Sequence, residues 1–373
     1  MANIFDYLAW RGDLEFNRFP LNNVDNIIFS QLAFFPFDGI VPGLNEEKRI
    51  TIGKVADYIN KWMPNFMYGR DNSFTYKDDL LLIKTLGISK RYKNCELCYY
   101  VNHIDSCREL QFSAISIITG KNSSFIAFRG TDSTIVGWKE NFNMCYIEAV
   151  PAQLEATDYL ENIAKKVNGS LILGGHSKGG NLAVYAAAHC NSKTRKRIKI
   201  IYSNDGPGFH EKVVTSKSFK TIRNKIHTFV PQSSVIGMLL EQVNGYHVIK
   251  SSQNGFSQHM LYSWEVMADD MIRIGEVTQK SRFVDKTVRE WIGKLDTAHR
   301  EQFFDGLYTI LKASQAKTML EIKDSWFKAA SLMIYSLTNI DNSTRVLIRK
   351  TLTMLSRSAR SNIKILLKPE KTF

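Results

Sequence analysis

The chain has no uninterrupted apolar stretch of 18 residues, so none of it is expected to cross a bilayer as a helix. Its first residues, Met1-Ala2-Asn3-Ile4-Phe5-Asp6, carry no basic cluster ahead of an apolar core, and no secretory signal is expected. Cysteine is scarce. Cys95, Cys98, Cys107, Cys145 and Cys190 form an odd, scattered set, which argues against a disulfide framework and fits a reducing, cytoplasmic setting. Cys95-x-x-Cys98 followed by His103 and Cys107 nearly spells a zinc knuckle, but the last spacer is one residue short and the usual glycine is missing. Its neighbours Leu97, Tyr99, Tyr100, Val101 and Ile104 suit packing, so no metal is expected there. Internal repeats and low-complexity tracts are also lacking.

Acidic residues are outnumbered. The formal charge is +13, and residues 271–373 hold 19 Lys and Arg against 10 Asp and Glu, leaving +9 in the last quarter. Such a bias suits either a solvated helical surface or an anionic partner, of which a membrane surface is the expected kind and nucleic acid is not. The apolar fraction of 44% and charged fraction of 23% are ordinary for a globular chain, and 373 residues allow two or three domains.

Hydrophobic periodicity divides the chain in three. Residues 1–109 read as mostly helical, with apolar-periodic runs at Val24–Phe35 and Glu46–Trp62. Residues 110–270 alternate strands and helices. Phe112–Ile118 and Ser124–Phe128 are joined as a hairpin through Gly120-Lys121-Asn122, and a helix follows around Gln153–Val167. Strands are expected at Ile198–Ser203, Lys225–Val230 and Tyr246–Ile249, with a short helical piece at Val235–Glu241. The alternation implies a largely parallel sheet covered by helices on both faces. Residues 271–373 carry no convincing strand and read as a helical appendage, with helices near Phe283–Leu295, Glu301–Leu311 and Thr344–Leu367. The last mixes Val346, Leu347, Leu352, Leu355, Ile363 and Leu366 with six basic residues. It suits docking on the core through one side, or lying on a membrane surface.

The chemistry concentrates at Leu171-Ile172-Leu173-Gly174-Gly175-His176-Ser177-Lys178-Gly179-Gly180. An apolar strand, a serine between glycines and an amphipathic helix make the nucleophile elbow of an α/β-hydrolase. Ser177 is the candidate nucleophile. A hydrolase of this kind also needs N–H donors for the developing oxyanion. The strand ending in Phe128-Arg129-Gly130-Thr131 supplies Thr131, and the residue after the nucleophile supplies Lys178. The Lys178 side chain itself reads as a solvated helix-start lysine, with contact to an anionic substrate group as the other reading. No separate cofactor is needed for this chemistry.

Phe128-Arg129-Gly130-Thr131 with Trp138, and the Gly-His-Ser-Lys-Gly-Gly elbow downstream, resemble the class 3 (fungal-type) lipases. More closely, the chain resembles an uncharacterised bacterial family of lipase-like proteins. That likeness rests on Tyr7-Leu8-Ala9-Trp10-Arg11-Gly12-Asp13-Leu14, Gln111-Phe112-Ser113-Ala114-Ile115, Asn204-Asp205-Gly206-Pro207-Gly208-Phe209 and Gln258-His259, and covers most of the chain. The resemblance implies an α/β-hydrolase core and no particular substrate.

Among the histidines after Ser177 (His189, His210, His227, His247, His259 and His299), His259 lies in the loop after the last core strand. This fold delivers its imidazole there, and the position matches the family's Gln-His. The acid departs from the class 3 pattern, because Pro231-Gln232-Ser233-Ser234-Val235 offers no carboxylate before Glu241. Three arrangements stay open: Asp205 as the acid, Asp205 as a turn residue satisfying local N–H groups, or a Ser177–His259 dyad oriented by a hydroxyl such as that of Ser234. The function expected is serine ester hydrolysis, with a lipid or other small ester as substrate. The alternative is a hydrolase-fold binding module without turnover.

Overall fold

The computed structural model describes residues 1–62, 76–132, 134–240, 242, 245–315 and 326–367. Its centre is a sheet of nine strands in the order β1-β2-β3-β4-β5-β6-β7-β8-β11. The strands are β1 (Ile50–Thr51), β2 (Glu96–Asp105), β3 (Leu110–Gly120), β4 (Ser123–Phe128), β5 (Ser170–His176), β6 (Ile198–Asn204), β7 (Ile226–Pro231), β8 (His247–Ile249) and β11 (Arg273–Ile274). A separate pair is formed by β9 (Val266–Met267) and β10 (Asp270–Met271). From β4 to β8 every pairing is parallel. Antiparallel strands flank this middle, β1 to β3 on one side and β11 on the other. The fold is the α/β class expected, with the elbow at the end of a central parallel strand.

The period-2 alternation of the strands sends side chains into two apolar layers. Ile115, Ile117, Phe125, Ala127, Ile172, Tyr202 and Phe229 face one layer. It is closed by α1 (Ile4–Arg11), α2 (Asn23–Leu32), α3 (Ile52–Trp62) and α4 (Tyr76–Ile88). Ala114, Ile126, Phe128, Leu171, Leu173 and Ile201 face the other. Following α5 (Ile135–Asn143), that layer is closed by α6 (Pro151–Lys166) and α7 (Lys178–His189), then, beyond α8 (Ser192–Arg197) and α9 (Glu211–Thr215), by α10 (Lys217–Ile222). Cys95 packs in the first layer and Cys98 in the second.

The N-terminal helices are pinned by a buried charge. Asp25, on α2, receives Arg91 Nε at 2.9 Å and Nη2 at 2.5 Å, and hydroxyl protons from Tyr7 and Tyr92. Arg91 spends its remaining donors on the carbonyls of Leu14, Phe19 and Pro20. A buried ion pair tolerates nothing less than this full satisfaction.

Three local expectations are corrected. Residues 96–105, read as part of a helical segment, form β2, which pairs with β3 on either side of a bulge at Tyr99 and Tyr100. Helical structure in the run from Glu46 begins only at Ile52. Beyond Asp270 the two-residue β11 closes the sheet edge, a strand too short to leave a periodic signal. Glu241 lies outside the described residues.

Among the described residues after β11 the chain is mainly helical: α11 (Gln279–Gly293), α12 (Thr297–Ala313), α13 (Trp326–Asn339) and α14 (Asn342–Asn362). Leu347 and Ile348 of α14 are buried with Phe303 and Phe304 of α12. Phe304 stacks on Phe142 of α5 at 5.1 Å, and Lys139 of α5 pairs with Asp305. No helix among the described residues is long and apolar enough to cross a membrane.

Candidate active site

Ser177 sits at the N-terminus of α7 with φ 57° and ψ −131°. A non-glycine residue in this region is strained by roughly 1–3 kcal/mol, so the surroundings must hold it there. Its N–H donates to the Asn204 carbonyl at 2.9 Å, and its carbonyl accepts the Gly180 N–H at 2.9 Å. The hydroxyl makes no capping bond to the helix. Between Leu171 and Ala188 it is the one residue with more than marginal exposure, a hydroxyl presented out of an otherwise buried strand and helix.

The flanking glycines are required by close backbone approach. A Cβ at Gly175 would lie 2.3 Å from the Gly179 carbonyl carbon, and one at Gly179 would lie 2.1 Å from the Phe128 carbonyl oxygen. Strand, turn and helix therefore touch at distances that only hydrogen permits. Gly130 abuts the same bend, since a Cβ there would stand 3.1 Å from Ser177 Cβ and 2.5 Å from the His176 oxygen. Thr131, the next residue, is thus at the rim of the elbow, and its Oγ1 bonds Asn141 Oδ1 at 2.7 Å.

Asp205 and His259 meet. Asp205 follows β6 with φ 49° and is buried, and its Oδ2 lies 2.6 Å from His259 Nδ1. Its Oδ1 accepts the Ser234 hydroxyl at 2.5 Å and the Gly237 N–H at 3.1 Å. The segment after β7 that lacks a carboxylate thus contributes hydroxyl and amide donors that aim the Asp205 carboxylate at the imidazole. With Nδ1 occupied, the ring's other nitrogen is left for proton transfer.

His176 ties this pair to the elbow. Its ring lies 4.3 Å from that of His259, and its Nε2–H donates to the His259 carbonyl at 2.7 Å. Burial, and secondarily the neighbouring His259, push the His176 pKa well below its ordinary value, so the ring stays neutral. Asn204, whose carbonyl accepts the Ser177 N–H and which precedes Asp205, bonds Asn26, Ser30 and the Gly175 carbonyl, linking the site to α2. Phe34, 5.7 Å from the His176 ring, and Phe256, 5.7 Å from the His259 ring, border the site with apolar surface. Neither the 590 Å³ groove lined by residues such as Ile40, Leu44 and Tyr100 nor the 440 Å³ cleft between the C-terminal helices includes Ser177 or His259.

The other histidines are placed elsewhere. His189 stacks on Tyr185 and bonds its carbonyl, His210 bonds the Met144 carbonyl, and His299 pairs with Asp296 at a helix start. His227 and His247 lie on β7 and β8, where burial lowers their pKa.

One expectation fails outright. The Lys178 side chain is not solvated: it is 1% exposed, with Nζ 2.5 Å from Glu140 Oε2, 2.6 Å from the Gln111 carbonyl and 2.8 Å from Gln111 Oε1. Glu140 went unnoticed in the sequence because a single glutamate in an amphipathic helix carries no signal of its partner.

A family model described as Mbeg1-like matches residues 86–309. None of the curated proteins matches. Among solved structures, the native lipase–propeptide complex of Rhizomucor miehei is similar at 12% identity and TM-score 0.32, over 43% of this chain and 58% of the other. M37 lipase is similar at 14% identity and TM-score 0.27, over 35% and 51%. A fungal lipase–inhibitor complex is similar at 10% identity and TM-score 0.33, over 55% and 81%. The chain thus spans between half and three-fifths of the first two, and likeness at this level carries no information on substrate.

Proposed function

The chain belongs to the Mbeg1-like family, which is lipase-like, and we propose that it is a serine hydrolase that cleaves carboxylic esters, lipid esters among them. The observation that carries this reading is the His259 imidazole, its Nδ1 held at 2.6 Å by buried Asp205 and its ring 4.3 Å from that of His176, the residue before the strained, partly exposed Ser177. In this reading Ser177 Oγ attacks the ester carbonyl while His259 Nε2 takes the hydroxyl proton. The N–H groups of Thr131 and Lys178 receive the oxyanion. Collapse of the tetrahedral species breaks the carbon–oxygen bond to the alcohol, which leaves with the proton from His259. Water then attacks the acyl-enzyme by the reverse use of the same groups. Asp205 fixes the tautomer and steadies the imidazolium.

The non-catalytic alternative rests on the missing carboxylate after β7 and on the basic helical tail. The bonds that Ser234 and Gly237 from that segment make to Asp205 speak against the first ground and leave the second standing. The test is covalent labelling by a fluorophosphonate probe, expected for the wild type and abolished in Ser177→Ala, followed by p-nitrophenyl esters of increasing acyl length. Absence of labelling in folded wild type overturns the reading.

The same reading gives α14 and the turn after it a role at an anionic lipid surface. Residues 342–367 hold Arg345, Arg349, Lys350, Arg357, Arg360 and Lys364 and no Asp or Glu. Leu352, Ile363 and Leu367 stand exposed beside them. Each basic group near such a surface is worth about 1 kcal/mol. The triple variant Arg349→Glu, Arg357→Glu, Arg360→Glu should therefore lose at least 100-fold in sedimentation with phosphatidylserine vesicles. Equal binding of wild type to neutral vesicles removes this role.

A further inference from the structure

The residue after the nucleophile carries a buried cation for which ester hydrolysis as described above has no use. Lys178 opens α7, and its ammonium has three acceptors: the Gln111 carbonyl, Gln111 Oε1 and Glu140 Oε2. Glu140, itself fully buried, also takes the Gln111 N–H at 3.2 Å on Oε2 and the Ala152 N–H at 2.8 Å on Oε1. The network is closed: three ammonium protons and two backbone N–H groups meet carboxylate, amide and carbonyl oxygens, with none left over. It joins four pieces of chain, namely β3 through Gln111, α5 through Glu140, the start of α6 through Ala152 and the start of α7 through Lys178.

Its location is informative. One end holds the residue whose N–H is a candidate oxyanion donor. The other reaches the opposite donor, since Gln111 Nε2 stands 3.5 Å from the carbonyl of Gly130, which precedes Thr131. A purely architectural role is served as well or better by apolar side chains of similar volume, because charges buried in a core surrender their hydration. An ammonium anchored by three fixed acceptors instead sets direction, and direction is what a preorganised oxyanion site requires.

We propose that Lys178 and Glu140 are positioning residues of the oxyanion hole, fixing the first turn of α7 and the Gly130–Thr131 bend relative to each other. The inference rests on the ester-hydrolase reading, and the experiment separates the two. The variant Lys178→Met with Glu140→Gln is neutral, and the introduced amide can accept the Ala152 N–H and donate to the freed Gln111 Oε1, while the backbone N–H and carbonyl of Gln111 lose their partners. Lys178→Met alone strands a buried carboxylate and is not informative. The double variant should stay folded with a midpoint in urea lowered by the two lost bonds, keep KM within about threefold, and lose roughly 10- to 100-fold in kcat. Its affinity for a trifluoromethyl ketone, which mimics the tetrahedral oxyanion, should fall by the same factor, a readout that mere loosening of the fold would not match. Lys178→Arg, which keeps the charge but displaces it, reads the same two quantities if the double variant does not fold, with a smaller loss in both. Wild-type kcat and ketone affinity in a folded variant overturn the positioning role while leaving ester hydrolysis intact. A folded wild type without turnover overturns both.

Discussion

In the proposed mechanism Asp205 is the residue on which proton transfer turns. Its two oxygens are divided between His259 Nδ1 and the Ser234 and Gly237 donors, so an amide in its place would present an N–H to one of these donors or to Nδ1. Asp205→Asn should leave the fold intact and lower kcat by roughly 10³–10⁴, as a wrong imidazole tautomer does in other triads. Ser234→Ala removes one bond to a charged acceptor and should cost about 10- to 100-fold. Steady-state rates on a single ester compare the two, and a loss below tenfold for Asp205→Asn would remove it from the mechanism. His176 gives a second, independent expectation. Held neutral in the folded chain and free to protonate in the unfolded one, it leaves the unfolded state binding more protons below about pH 6.5. Its contribution to stability is fully present above that value. As pH falls below it, stability is lost at up to about 1.4 kcal/mol per unit. His227 and His247 act with the same sign. His176→Gln, which keeps a donor for the His259 carbonyl, should flatten the dependence of the urea midpoint between pH 5 and 7. At this scale Ser177 and its glycines were legible because their logic is local: five consecutive positions state the turn. The burial of Lys178 was not, since Glu140 and Gln111 lie 38 and 67 residues away along the chain.

At the level of elements, the N-terminal helices owe their place to a few long-range polar ties set into apolar packing. Arg91, from the loop after α4, reaches Asp25 on α2 and carbonyls of the loop between α1 and α2 in one gesture. Arg91→Met leaves a buried carboxylate and three carbonyls without their donor, and should destabilise by about 3–5 kcal/mol in equilibrium urea unfolding. A change under about 1 kcal/mol would mean that water replaces the guanidinium. The same helices reach the active site through Asn26 and Ser30, which hold Asn204 and so the carbonyl that receives the Ser177 N–H. Helix α2 was legible because its apolar residues recur at helical spacing, although the helix closes at Leu32 and the apolar run continues to Phe35. The strand β2 was not, because Cys98-Tyr99-Tyr100-Val101 is apolar throughout and a bulge breaks its alternation. Only the neighbouring β3 decides that it is extended, as tertiary context overrides local preference.

For the whole molecule, α5 is the element through which the C-terminal helices and the active site share a foundation. On one side Lys139 and Phe142 hold Asp305 and Phe304 of α12. On the other, Glu140 holds Lys178 and Asn141 holds Thr131. The sequence displayed α12 and α14 as helices but not where they dock, because the aromatic surface of Phe142 and Tyr146 that receives Phe304 is assembled only in the fold. Phe304 is almost wholly buried there, and its truncation to alanine should cost about 3–5 kcal/mol. If residues 271–373 form a unit of their own, that loss is confined to them and to α5, against which they pack. Hydrogen exchange of Phe304→Ala should then rise across α12 and α14, and at α5 to a lesser degree, while amides of β4 to β7 keep their wild-type protection. A uniform rise over the sheet would instead mean that core and appendage unfold together, and that the boundary near residue 270 marks a change of secondary structure and not of cooperativity.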